Sequence, residues 1–240
     1  MGLLDLPSPL LSWADAAALG ALPPWARLGI WGVVAALLSM GTYGLLSPQH
    51  RIAWSIAEQH RLTIMLRDEQ TGAGEGLAVS RRLLAVALGR IGLVIGPVLA
   101  AAVPVLCLMT WLDARYGYDF PPVDEIPVLQ VRPPAAHIRW VVDGGGVARV
   151  EILDADGEVV QAVPLHMAVP VVHKRVWWNF VAGNPIGYLA PDGPAERIDI
   201  GLPVRRYLDI APGWLGSWEA LFLGTLIAVS LLIKRAARLQ

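Results

Sequence analysis

Residues 48–90 read PQHRIAWSIAEQHRLTIMLRDEQTGAGEGLAVSRRLLAVALGR, a polar stretch between two apolar ones. An uncharged run ends at Leu46-Ser47, and another begins at Ile91. The segment TGAGEG, Thr71–Gly76, interrupts it, with helix-compatible sequence on either side. The pattern predicts a helical hairpin carried between two membrane helices. In its first arm Ile52, Ile56, Gln59/His60, Leu62, Met65 and Leu66 recur near the helical period. Arg51, Glu58, Arg61, Arg67, Asp68 and Glu69 supply the polar face. The expected amphipathic helix is about 33 Å long. The second arm, Leu77–Arg90, grows steadily more apolar and is expected to continue into the following span.

The flanking runs decide the class. Leu28–Ser47, LGIWGVVAALLSMGTYGLLS, holds twenty residues without a charge. At about 1.5 Å per residue it matches the roughly 30 Å hydrocarbon core. Gly29, Gly32, Gly41 and Gly44 leave surfaces for close helix approach, and Ser39, Thr42 and Tyr43 cluster near the hairpin end. Ile91–Leu112, IGLVIGPVLAAAVPVLCLMTWL, is uncharged for 22 residues and contains Pro97 and Pro104. Each proline removes a backbone hydrogen bond and favours a kink. Composition agrees: 55% of residues are hydrophobic and 16% charged, against roughly 25% charged in an average soluble domain. The chain reads as an integral membrane protein. A net charge of −1 gives no sign of nucleic-acid binding. The single cysteine, Cys107, lies in an apolar run and permits no disulfide within the chain.

Before the first span, Ser8–Leu22 places Leu10, Leu11, Ala14, Ala18 and Leu22 at helical spacing, with Ser12 and Asp15 on the other side. A short helix in the membrane interface is predicted, ended by Pro23-Pro24. No basic residue precedes Arg27, so the segment is not a standard signal peptide, and the first span is expected to stay in the mature protein.

Composition shifts over Asp113–Pro212. Alternating patterns at 137–143, 147–153 and 158–163 are joined by DGGG and DADG, good hairpin turns. Segments 169–181 and 196–204 are further candidate strands. A small antiparallel β domain follows, sandwich-like or a partial barrel. Gly213–Ile233 reads as a third span, with Ser217 placed as its cap and Glu219 in the first turn, where the helix dipole favours a carboxylate. Trp25, Trp111, Trp214 and Trp218 fit interface anchoring.

The predicted layout is therefore an interfacial segment (1–26), a first span (27–47), the hairpin (48–90), a second span (91–112), the β domain (113–212), a third span (213–233) and a tail (234–240). Orientation comes from basic residues in short loops. The hairpin carries six arginines (Arg51, Arg61, Arg67, Arg81, Arg82, Arg90), and the tail carries Lys234, Arg235 and Arg238. Hairpin and tail are thus expected in the cytoplasm of a multi-pass inner (plasma) membrane protein, with N-terminus and β domain outside.

Catalytic signatures are lacking. DGGG joins two strands rather than leading into a helix, there is no G-x-S-x-G, and five scattered histidines complete no metal set. No enzymatic activity, cofactor or metal is expected. Asp154 and Asp156 read as turn formers. Glu219 reads better as a helix-start residue than as a buried functional carboxylate. Trp177-Trp178 stands out as a candidate partner contact. As neighbours in a strand, one of the two would face outward, towards membrane, span ends or partner.

The order of parts resembles the YidC/Oxa-type membrane insertase superfamily, in particular its minimal three-span branch, the archaeal YidC-like proteins and the third subunit of the ER membrane complex. Carrying the resemblance are SPQHRIAWSIAEQHRLTIMLRDEQ, IGLVIGPVLAAAVPVLCLMTWLDARYGYDFPP and GWLGSWEALFLGTLIAVSLLIKRAARL, a little over half of the chain. The β domain is larger than that branch carries, and spans 1 and 2 lack the basic groove residue of bacterial insertases. The resemblance implies insertion of client membrane proteins through a polar groove. Ser39, Thr42, Tyr43 and Arg90 would line it, and Arg51, Arg61, Arg67, Arg81 and Arg82 would meet a client or ribosome. The competing reading is a scaffold or accessory subunit of an envelope complex, binding through the β domain.

Overall fold

A computed structural model describes residues 2–67, 73–122, 125–134, 137–143, 146–154, 156–209 and 212–237. More than half of the chain is helical. It divides into two compact units, Met1–Trp31 with Leu106–Gly224, and Gly32–Val105 with Thr225–Gln240.

The helices are α1 (Ser8–Leu19), α2 (Pro24–Leu46), α3 (Gln49–Arg67), α4 (Ala73–Tyr116) and α5 (Trp218–Ala237). Two of them are long and apolar enough to cross a membrane: α2, and α4 over Gly76–Tyr116. As expected, the second hairpin arm and the second apolar run form one helix, and α4 stays helical through Pro97 and Pro104. The third expected span is shorter than its sequence range. Gly213–Gly216 forms a 3-10 turn, α5 begins at Trp218, and Glu219, Lys234 and Arg235 bracket an uncharged stretch of 14 residues, about 21 Å of helix. Ser217, just before α5, donates its hydroxyl back to Trp214 O at 2.8 Å.

In the unit holding the hairpin, α3 and the first part of α4 are joined by Glu58–Arg82 at 2.9 Å and by Arg90 Nη1 donating to Gln59 Oε1 at 3.3 Å. The connection at 68–72, with the first two residues of the TGAGEG break, lies outside the described residues, and α4 already begins at Ala73, inside that break. The buried stripe of α3 differs from the expected one. It runs Ile52, Ser55, Glu58, Leu62, while Ile56, Ile64 and Met65 are exposed. A helix that pairs through a salt bridge turns part of its polar face inward, and apolar periodicity then marks the wrong face.

The other unit contains two antiparallel three-stranded sheets. The first is the predicted meander, β2 (His137–Val142), β3 (Ala148–Leu153) and β4 (Val159–Leu165). The second, ordered β1-β6-β5, joins β1 (Leu129–Arg132), β6 (Arg197–Ile200) and β5 (Val171–His173). The turns follow the sequence: Gly146 and Gly157 take φ of 79° and 84°, and Asp154 Oδ1 accepts from the amides of Asp156 and Glu158. Val150, Ile152 and Val163 of the first sheet share a core with Val172, Ile198 and Ile200 of the second, a small sandwich. On the opposite face of β3, buried Glu151 is held by Arg139 and Arg149 at 2.6 and 2.9 Å. Those guanidiniums, Arg139 first, hold its carboxyl below the usual range.

Segment 169–181 is a strand only over Val171–His173. Residues Trp177–Phe180 form a 3-10 turn. Asn179 makes it, its side chain accepting from Val176 N at 2.8 Å and donating to Ala182 O at 3.2 Å. Both tryptophans therefore point outward, instead of one in and one out; Trp177 is 81% exposed and Trp178 46%.

Candidate functional site

The expected groove residues lie on two helices, Ser39, Thr42 and Tyr43 on α2 and Arg90 on α4. Ser39, Thr42 and Tyr43 lie half-buried on α2. Arg90 instead lines a cleft of about 350 Å³ between α3 and α4, with Arg51, Trp54, Ser55, Ala85, Val86, Gly89 and Leu93. Its lining combines two arginines, Arg51 and Arg90, with the exposed indole of Trp54 and Leu93. Arg90 is half-buried, while Arg51, Arg61, Arg81 and Arg82 are exposed. Arg67 closes α3, and its side chain lies outside the described residues. Ser55 is buried with its hydroxyl donating to Ile52 O at 2.7 Å, so it does not present a free donor to the cleft.

A second site was not foreseen. Asp15, which the helical pattern assigns to the polar side of an interfacial helix, is fully buried. Its Oδ1 accepts from Trp31 Nε1 at 3.1 Å and from Tyr116 Oη at 2.7 Å. Its Oδ2 faces Arg27 at 3.5 Å and Arg115 at 3.9 Å. One turn earlier, Ser12 Oγ accepts from Trp111 Nε1 at 2.9 Å. The polar side of α1 thus packs inward on the start of α2 and the end of α4, while Leu6, Leu10 and Trp13 are exposed. Trp111 is not an interface anchor but a buried ring, stacked edge-on with Trp31 at 5.0 Å. Trp218 is likewise buried, while Trp25 and Trp214 are exposed as expected. Arg27 holds the α1–α2 turn by donating to the carbonyls of Gly20 and Leu22. The signal for this site was present: Arg27 and Asp15 are the two charges nearest the first span on its N-terminal side, and a carboxylate among so many apolar residues calls for a partner.

Beside α1 runs a cleft of about 520 Å³; an adjoining one of about 750 Å³ shares Asp113, Val169, Pro170 and Gly183–Pro185 with it. Further along, Tyr207 Oη donates to Tyr116 O at 2.7 Å. Burial pushes the Tyr207 hydroxyl up to about 12, with Asp119 and Glu219 adding to the rise and Arg205 opposing it. Burial likewise raises Tyr118, reinforced by Asp113 and Glu219. Among the described residues no group of three or more His, Cys, Asp or Glu is arranged to hold a metal ion. No family model, curated protein or solved structure matches the chain.

Proposed function

We propose that this chain is a three-span inner-membrane protein that assists insertion or assembly of client membrane proteins, with the hairpin and C-terminal tail in the cytoplasm and the β domain outside. The observation that carries the reading is the cleft of Arg51, Trp54 and Arg90, at the point where the polar hairpin gives way to the apolar run of α4. A charged client residue costs about 2.5–3.5 kcal/mol at the bilayer centre on insertion scales. A cationic, aromatic-walled cleft beside the hydrocarbon offsets part of that cost for an acidic or polar flank and leaves the client's apolar segment to the lipid. Such work needs no bond-making group. Depleting the protein tests the reading: small membrane proteins with polar translocated flanks are expected to accumulate uninserted.

The exposed Trp177–Phe180 turn favours a second reading, a non-catalytic accessory subunit that binds an envelope complex through its β domain. Under that reading depletion leaves insertion unchanged and destabilises one resident complex.

A further inference from the structure

The β domain carries an apolar projection fixed to the N-terminal segment. Trp177 and Phe180, with ring centroids 6.5 Å apart, are both exposed. The end of their turn is tied to the chain start: Leu4 N donates to Val181 O at 2.9 Å, and Asp5 Oδ2 accepts from Gly183 N at 2.7 Å and from Gly2 N at 2.8 Å. The contact is close enough that a Cβ at Gly2 would lie 2.6 Å from Val181 O. The segment so tied presents exposed Leu3 and Leu6, continued along α1 by Leu10 and Trp13 at i+4 and i+7 from Leu6. Its opposite face is occupied by the Asp15 and Ser12 bonds, and among the described residues these side chains stand exposed.

We infer that the Trp177–Phe180 turn, together with the outer face of α1, is seated in the lipid interface on the outer side of the membrane, so that the β domain lies against the bilayer. Continuity identifies lipid as the occupant. Gly20–Pro23 alone separate α1 from α2, one of the two helices apolar enough to span, and Trp25 in its first turn is exposed. Bulky indoles and leucines are the residue types that settle at this depth. The inference rests on the reading that α2 crosses the bilayer.

The test uses the full chain in vesicles of phosphatidylethanolamine and phosphatidylglycerol. In a Cys107→Ser background, spin labels are placed at Trp177→Cys, Phe180→Cys, Leu37→Cys and Glu158→Cys, all exposed positions. Labels at 177 and 180 are expected to collide more with oxygen than with a water-soluble nickel chelate, at a depth of about 5–10 Å, and the label at 158 the reverse. If 37 reports lipid while 177 and 180 report water, the turn is a surface for a protein partner and the inference falls while the span stands. If 37 also reports water, the span reading fails and takes the inference with it.

Discussion

Two carboxylates, one in each unit, are held by pairs of arginines. Asp15 faces Arg27 and Arg115; Glu58 faces Arg61 and Arg82. Their surroundings differ. Asp15 is fully buried and also accepts from an indole and a phenol, while the arginines on Glu58 are about 60% exposed. Residue types are shared and both carboxylates are buried, but the Glu58 side chain keeps 9% exposure and its partners stand in solvent. A screened ion pair adds little to stability; a buried acceptor whose loss strands two donors adds a great deal. Asp15 is therefore a lock on α1, and Glu58 a solvent-screened tie between α3 and α4.

The largest expected effect is at the lock. Asp15→Ala leaves the Trp31 and Tyr116 donors unpaired and is expected to cost about 3 kcal/mol, read as a lower thermal midpoint of the purified protein in detergent. Asp15→Asn, which keeps an acceptor, is expected to cost clearly less. Equal losses for the two would show that the charge, not the hydrogen bonds, carries the site. Next comes Tyr207→Phe, which removes the bond to Tyr116 O, at about 1 kcal/mol near neutral pH. The folded hydroxyl sits at about 12 against an ordinary 10, so the fold favours its protonated form. That contribution is complete below pH 10 and is lost as pH rises towards 12. The difference between wild type and Tyr207→Phe should close over that window, and a constant gap would contradict the burial argument. The smallest effect is at Glu58→Ala, about 0.5 kcal/mol or less and fading with added salt. A loss as large as that of Asp15→Ala would erase the contrast.

What the sequence made legible was periodic and long. The merging of the hairpin's second arm with the second apolar run, and the β2-β3-β4 meander with its Asp and Gly turns, follow from apolar runs, alternation and turn chemistry. The misreadings share a cause. On α3, apolar spacing marked Ile56 and Met65 for the buried face, but the Glu58–Arg82 pair turned a polar residue inward; on α1 the polar side opposite the interfacial face is held inward by Asp15 with Trp31 and Tyr116. The pattern at 169–181 looked like a strand because valine and tryptophan favour strands; Asn179, by bonding its own neighbours, folded part of it into a turn. β1 is four residues long, and its strand character depends on pairing with β6, some 65 residues away, which no local pattern reports. Of the four proposed groove residues only Arg90 lines the cleft, because α3 rather than α2 supplies the facing wall.

The insertion account rests on the α3–α4 cleft, and a photo-crosslinking residue at Leu93 interrogates that wall directly. During synthesis of a small membrane protein with an acidic translocated flank, position 93 is expected to cross-link to the nascent chain, and the product should fade as insertion completes. Cross-links only to mature resident subunits, persisting after synthesis stops, would contradict the account.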